Sequence, residues 1–155
     1  MRRLWAGFTR KETLTWAGTN DAVKIKTRIT GVFGYPVGHS LSPRMHNAAF
    51  RHGKMDWVYL PFLVKPGELK RALKALSACK AAGVNLTIPH KVAGMGLADR
   101  LSPEARAIGA LNTLYRRGRL WIGHNTDAPG FRKSLGRLPL RGGRVLVLGA
   151  GGAAR

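Results

Sequence analysis

Short apolar segments alternate along this chain with segments whose apolar residues repeat every three to four positions. The apolar segments predict buried strands, and the 3.6-residue period predicts amphipathic helices. The predicted strands cover 28–38, 56–64, 83–89 and 144–149, and the predicted helices cover 42–53, 66–83 and 127–138. One or two further short helices fall within 90–110, and a hairpin that turns at Arg117-Gly118 follows them. The alternation predicts an α/β fold, with a mostly parallel sheet that carries helices on both faces.

The segment VLVLGAGGAAR, at 145–155, holds the second strong pattern. Gly149, Gly151 and Ala154 fit G-x-G-x-x-A directly after an apolar strand, which is typical of the turn that receives a dinucleotide pyrophosphate. The helix that normally follows this turn is not in the sequence. We therefore expect a truncated chain with three parts: a basic, disordered extension at 1–28, a folded domain at 29–140, and the start of a truncated Rossmann domain at 141–155.

The chain carries 27 Lys and Arg residues against 7 Asp and Glu residues, a net charge of +20. A field of this size attracts phosphates, so a basic nucleic-acid-binding module is an alternative from another class of protein. The charge is spread along the chain, however, and the aromatic platform of single-strand binders is absent, so we expect no specific nucleic-acid partner. No run of 18 apolar residues indicates a membrane span, so we expect no membrane partner either.

The single cysteine, Cys79, falls on or near the apolar stripe of the helix predicted over 66–83, so we expect a buried core thiol. It has no partner for an internal disulfide, which favours a reducing compartment and a cytoplasmic protein. The five histidines lack the spacing of metal ligands, so we expect no metal site.

Two serines lie at the start of the first predicted helix, in the segment GHSLSPRMHNAAF. Ser40 and Ser42 offer hydroxyls two positions apart, and free backbone N–H groups with the positive end of the helix dipole lie beside them. This arrangement suits a small carboxylate or phosphate. The alternative is that Ser42 merely caps the helix, in which Pro43 takes the first position.

Further polar side chains lie at predicted strand ends, where the ligands of open α/β sheets bind. Asn85 and Thr87 share one face at the end of a strand, and Lys91 follows them in GVNLTIPHK. Two Asn-Thr pairs occur later, at 112–113 and 125–126, and Asp127 comes directly after the second pair. Amides and hydroxyls with one lysine and one carboxylate suit a polyhydroxylated substrate, although each pair alone is also ordinary capping chemistry.

Together these stretches resemble the shikimate dehydrogenase family from about Thr30 to Arg155. The segments that carry the resemblance are GYPVGHSLSPRMHNAAF, GVNLTIPHK, IGALNT, GHNTDAPGF and VLGAGGAAR, in family order and spacing. The resemblance implies a substrate-binding and catalytic domain over 29–140, and NADP as the cofactor of the complete protein. It also implies the reversible NADPH-dependent reduction of 3-dehydroshikimate to shikimate, a small-molecule substrate, and it allows a homodimer.

The resemblance also implies roles for individual residues. Lys91 corresponds to the catalytic lysine, and Asp127 is expected to act with it. The implied substrate contacts are the carboxylate contacts Ser40 and Ser42, the ring-hydroxyl contacts Thr87, Asn112 and Asp127, and Asn85 beside them. The implied pyrophosphate turn consists of Gly149, Ala150, Gly151, Gly152 and Ala153.

Other readings remain open from the residues. A quinate/shikimate dehydrogenase with broader substrates or NAD would share these motifs, because the segment that selects the cofactor follows the glycine turn by roughly 20 residues. An inactive fragment kept as an interaction module is a further alternative. From the missing helix we expect this 155-residue chain to bind no NADP(H) and to oxidise no shikimate.

Overall fold

The computed structural model describes residues 26–136 and, beyond them, Gly142, Arg144, Leu146 and Gly149. The strands are β1 (Arg28–Gly34), β2 (Trp57–Leu63), β3 (Gly83–Leu86), β4 (Arg100–Leu101), β5 (Thr113–Arg117) and β6 (Leu120–His124). The helices are α1 (Ser42–His52), α2 (Leu69–Ala78), α3 (His90–Ala93), α4 (Pro103–Ile108) and α5 (Asp127–Ser134), and a 3-10 helix covers Gly94–Leu97. Among the described residues, no helix is long and apolar enough to cross a membrane.

The described strands form one six-stranded sheet in the order β2-β1-β3-β5-β6-β4. The pairings β1 with β2, β1 with β3 and β4 with β6 are parallel, whereas β5 is antiparallel to both of its neighbours. Five strands therefore run in one direction and β5 alone runs against them. This confirms the predicted α/β fold with a mostly parallel sheet, and the hairpin is the one element that reverses direction.

Helices cover both faces of the sheet, as predicted. Neighbouring residues of β1 point to opposite faces, and each of these faces packs against a helix. Val32 packs with Tyr59 and with Phe50 of α1 on one face. Phe33 belongs to a larger cluster on the other face, which includes three leucines of α2: Leu69, Leu73 and Leu76. The 3.6-residue period of α2 thus identifies its buried side correctly.

Cys79 is exposed, and the prediction of a core thiol is wrong. Helix α2 ends at Ala78, earlier than the predicted boundary, and Cys79 is its C-cap. The chain leaves the helix at Lys80, whose φ of 55° is left-handed, and the N–H of Ala81 then donates to the oxygen of Leu76. This helix-ending turn makes Ala81, rather than Cys79, the fully buried residue.

Other boundaries also differ from the sequence prediction. The hairpin turns at Gly118-Arg119, one residue later than expected, because Arg117 still pairs with Leu120. Strand β3 ends at Leu86, and the N–H of His90 closes a turn on the oxygen of Thr87. Arg28 opens β1, so the end of the predicted extension 1–28 belongs to the domain.

The predicted last strand and glycine turn lie mostly outside the described residues. Arg144, Leu146 and Gly149 are described, and none of the three is in a strand. Residues 1–25 and the glycine-turn residues Ala150, Gly151, Gly152 and Ala153 lie outside the described residues. The division into an extension, a domain and the start of a second domain therefore stays a prediction.

Candidate active site

The sheet brings the predicted site residues to one edge, the one formed by the carboxyl ends of its parallel strands. Strands β3 and β6 end at this edge, and β5 begins there because it runs in the opposite direction. The segments that leave or enter these strands carry Asn85, Thr87, Lys91, Asn112 and Asp127. A set of side chains that are far apart in sequence thus lies in one place, at the edge where open α/β sheets bind ligands.

Lys91 and Asp127 form an ion pair at the centre of this edge. The Lys91 Nζ and Asp127 Oδ2 atoms are 2.5 Å apart. Lys91 is the second residue of α3, and its side chain is only 15% exposed, whereas the Asp127 side chain, at the start of α5, is 40% exposed. The Lys91 side chain is thus mostly buried, whereas the Asp127 side chain is accessible to solvent.

Asn112 fixes the other oxygen of this carboxylate. Its Nδ2 donates to Asp127 Oδ1 at 2.7 Å and to Thr126 Oγ1 at 2.8 Å. Its Oδ1 accepts from the Thr126 N–H at 2.9 Å and from the Thr113 hydroxyl at 3.1 Å. Asn112 therefore holds Asp127 through the oxygen that Lys91 does not contact.

Asn125 supports Asp127 from the buried side. It is 2% exposed, and its Oδ1 accepts from the N–H groups of Asp127 and Ala128 at 3.0 and 3.1 Å. Its Nδ2 donates to the oxygen of Ala110 at 3.0 Å. Two otherwise unpaired N–H groups at the start of α5 are thus satisfied, and the first turn that carries Asp127 is anchored to the core.

Asn85 is largely engaged with protein groups rather than free for a ligand. Its Nδ2 donates to the oxygen of Asn112 at 3.1 Å and to Thr113 Oγ1 at 2.9 Å. Its Oδ1 accepts from the Tyr59 phenol at 2.7 Å. One acceptor lone pair remains, so Asn85 can contact a substrate hydroxyl only as an acceptor.

Thr87 has an uncommitted hydroxyl. The residue is half-buried just beyond β3, and its N–H donates to the oxygen of Phe33. Its side chain makes no hydrogen bond within the part of the chain that the structure describes. A half-buried hydroxyl held by a fixed backbone beside the Lys91 segment is available to a polar ligand.

The two serines lie at the start of α1, and the alternative role of Ser42 as a cap is wrong. The N-cap is Leu41, which has no side-chain capping bond, and Ser42 is the first helical residue. The Ser42 N–H instead donates to Ser40 Oγ at 3.3 Å. The Ser42 hydroxyl is thus not used to close the helix, and Ser40, whose oxygen accepts one helix N–H, keeps its O–H as a donor, so the pair remains a candidate for an anion.

Tyr59 is a residue of this site that the sequence analysis missed. Burial raises the pKa of its phenol well above the usual range, and the nearby Ser42 side chain acts in the opposite direction. The ring of His46 stacks on it at 4.3 Å, and desolvation lowers the pKa of that imidazole. Tyr59 lies within the apolar strand segment DWVYLPFLV, and no motif sets it apart from its neighbours there.

The described residues also bear on cofactor and metal binding. Gly149 has a φ of 115°, a left-handed value that suits a glycine turn, and it is the one predicted pyrophosphate residue that the structure describes. Within the described part of the chain, no group of three or more His, Cys, Asp or Glu side chains could hold a metal ion.

Comparison with known proteins agrees with this geometry. The family model of the shikimate dehydrogenase substrate binding domain matches residues 32–114. The shikimate dehydrogenase (NADP(+)) of Geobacter metallireducens is 52% identical over 134 residues, which are 84% of this chain and 46% of that protein. The crystal structure of shikimate 5-dehydrogenase from Thermus thermophilus in complex with NADP(H) and shikimate is 43% identical, with a TM-score of 0.75 over 82% of this chain and 49% of that one.

The structure of an enzyme with another name is also similar. The 5-ketofructose reductase of Gluconobacter sp. strain CHM43, in its ligand-free form, is 38% identical with a TM-score of 0.75, over 84% of this chain and 48% of that one.

The six-stranded sheet, with polar side chains gathered at the ends of its central strands, defines a domain of α/β type. The chain belongs to the shikimate dehydrogenase family, because the family model matches more than half of it and relatives are about 50% identical over most of its length. The chain spans about half the length of the curated relatives it matches.

Proposed function

We propose that this chain forms the substrate-binding and proton-transfer half of an NADP-dependent shikimate dehydrogenase of the cytoplasm. The proposed reaction is the reversible reduction of 3-dehydroshikimate to shikimate. The observation that carries the proposal is the Lys91–Asp127 pair, held at the strand edge by Asn112. Relatives named shikimate dehydrogenase (NADP(+)) support the choice of substrate and cofactor.

The Lys91–Asp127 pair suits the proton transfer that this reaction needs. Reduction of a ketone turns its oxygen into an alkoxide, which requires a proton and a nearby positive charge. The mostly buried ammonium group of Lys91 can supply both, and Asp127 orients it through the 2.5 Å contact. In the reverse direction the same lysine accepts the proton of the shikimate hydroxyl.

The remaining side chains bind and orient the substrate. Ser40 and Ser42 offer hydroxyl donors for the carboxylate, and the uncommitted hydroxyl of Thr87 faces no competing protein partner among the described residues. Asp127 keeps acceptor lone pairs that its bonds to Lys91 and Asn112 do not use, so it can contact a ring hydroxyl directly. Asn112, whose two N–H groups and two oxygen lone pairs are all engaged with protein groups, contacts a ring hydroxyl by exchanging one of these bonds.

NADP supplies or accepts the hydride when it is bound. The conformation of Gly149 is compatible with a pyrophosphate turn, and we assign the turn to Gly149 and the four residues that follow it. The proton-transfer groups belong to α3 and α5, so this chain contributes them independently of the cofactor.

A chimera tests the role of Lys91. Residues 26–136 replace the corresponding segment of the Geobacter metallireducens relative, and shikimate oxidation is followed through the absorbance of NADPH. Lys91→Ala should lower kcat about 10²- to 10⁴-fold, because general acid–base assistance is lost. Lys70→Ala, at an exposed position of α2, is the matched control and should leave kcat unchanged. A Lys91→Ala enzyme with normal kcat and only a raised KM would remove Lys91 from the chemistry.

A further inference from the structure

A chain of side-chain hydrogen bonds leads from the buried Tyr59 to the reacting pair. The Tyr59 phenol donates to Asn85, Asn85 donates to Thr113, Thr113 donates to Asn112, and Asn112 donates to Asp127. All four bonds lie between 2.7 and 3.1 Å. We call these five residues the Tyr59–Asp127 chain. It ends on the carboxylate that also holds Lys91.

Backbone groups fix the direction of every bond in this chain. The Asn85 amide cannot flip, because its Nδ2 also donates to the backbone oxygen of Asn112. The Asn112 amide cannot flip either, because its Oδ1 accepts from the backbone N–H of Thr126. The hydroxyl hydrogens of Thr113 and Tyr59 must then point to the two Oδ1 atoms, since amide oxygens only accept. The chain thus has a single polarity.

Tyr59 is itself held firmly at the head of the chain. It is 4% exposed. The side chain of Asn47, in α1, accepts from the Tyr59 N–H at 2.8 Å and donates to the Tyr59 backbone oxygen at 2.9 Å. The ring stacks on His46 of the same helix. Backbone and ring are therefore both fixed, which leaves the phenol with one orientation towards Asn85.

We propose that Tyr59 is a positioning residue of the active site, which orients Asp127 and Asn112 through Asn85 and Thr113. The inference rests on the proposed function, because it assigns Asn112 and Asp127 to the bound substrate. Chains of hydrogen bonds in a partly buried site polarise one another, so a lost donor at the head weakens the bonds that follow. The raised pKa of the phenol keeps that donor protonated throughout the neutral range.

Shikimate affinity, measured by calorimetry on the chain itself, tests the proposal in a double-mutant cycle. Tyr59→Phe keeps the ring and removes the donor, and it should weaken binding about 2- to 10-fold, the range of one net hydrogen bond. Thr113→Val keeps the strand-forming shape and cuts the chain between Asn85 and Asn112. In that background Tyr59→Phe should change affinity less than about 2-fold, because the path to Asp127 is already broken.

Tyr115→Phe is the matched control. Tyr115 is two residues from Thr113 on the same face of β5, it is 42% exposed, and its side chain forms no hydrogen bond with the described residues. Its loss of a hydroxyl should leave affinity unchanged in both backgrounds. Equal losses for Tyr59→Phe with and without Thr113→Val would show that Tyr59 acts only locally, and the proposal would be wrong.

A measurement without ligand separates this inference from the proposed function. The side-chain amide resonances of Asn112 in a ¹⁵N–¹H spectrum should move in Tyr59→Phe and stay in place in Tyr115→Phe. If the unmodified chain fails to bind shikimate, the proposed function is lost and the spectra still decide the role of Tyr59. If shikimate binds and the Asn112 resonances do not move, the positioning role is refuted and the function stands.

Discussion

At the scale of single residues, the site depends on polar groups that are each used more than once. Asn112 makes contacts with both its amide nitrogen and its amide oxygen, and Asn125 holds the first turn of α5 while bonding Ala110. Groups shared in this way leave little freedom for the Asp127 carboxylate. The lysine opposite it is thereby held in one geometry.

The serine pair should act through binding rather than through catalysis. Replacing Ser40 and Ser42 together by Ala removes two hydroxyl donors from the substrate carboxylate, and a hydrogen bond to a charged group contributes about 1.5–3 kcal/mol. Shikimate should therefore bind the chain at least about 10-fold more weakly in calorimetry. A decarboxylated analogue serves as the control ligand and should bind both proteins alike; an equal loss for both ligands would contradict the assignment.

The sequence identifies the polar residues of the site only where a motif distinguishes them from their neighbours. Lys91, Asn112 and Asp127 stand out because they lie at the ends of strands, and the structure brings them together. Tyr59 and Asn47 gave no signal, because their partners lie 26 and 12 positions away in sequence. Such pairs depend on how α1, β2 and β3 pack together, which local sequence patterns do not encode.

At the scale of elements, glycines allow close packing in one place and weaken a helix in another. A Cβ on Gly123, in β6, would lie 2.6 Å from Leu111 Cδ2 and 2.9 Å from Leu101 Cδ2. A Cβ on Gly130, in α5, would meet nothing within 4 Å. The two positions therefore respond oppositely to the same added methyl group.

Gly123→Ala should destabilise the chain by about 1–3 kcal/mol, because it overpacks a closed core. Gly130→Ala should stabilise it by about 0.5–1 kcal/mol, because alanine is the better helix former. Urea unfolding followed by circular dichroism measures both changes. A stabilising Gly123→Ala, or a strongly destabilising Gly130→Ala, would show that the packing around these elements differs from the structure.

Element types were predictable from the sequence, but several ends were not. The leucine spacing of α2 identifies its buried side, whereas the left-handed turn at Lys80 depends on how the chain reaches Ala81 in the core. The same limit explains the misplaced Cys79 and the shorter β3. The period of a pattern shows which face is buried, while the end of an element is decided by tertiary contacts.

At the scale of the whole molecule, the reversed direction of β5 brings the site residues together. Because β5 runs against β3 and β6, the residues just before it and just after β6 meet at the same sheet edge. Asn112 and Asp127 are brought together in this way across a short hairpin. A wholly parallel sheet would have placed them at opposite ends.

The net charge of +20 should produce only weak, nonspecific attraction to nucleic acid. Binding to a generic duplex should be measurable at low salt and lost near physiological salt, since counterion release is its main driving force. Fluorescence anisotropy of a labelled duplex across a salt series measures this, and added shikimate should leave the curve unchanged. Tight binding that survives physiological salt would favour a nucleic-acid partner after all.

The contact between Asn47 and Tyr59 has a further consequence for self-association. Strand β2 borders the sheet, and its outward backbone positions are Trp57, Tyr59, Pro61 and Leu63. The Trp57 N–H donates to the oxygen of Met55, the Tyr59 N–H is taken by Asn47, and proline has no N–H. The opposite border, β4, is only two residues long. A foreign strand therefore meets one open donor, the N–H of Leu63 at the end of β2, rather than a row of donors on which to lengthen the described sheet.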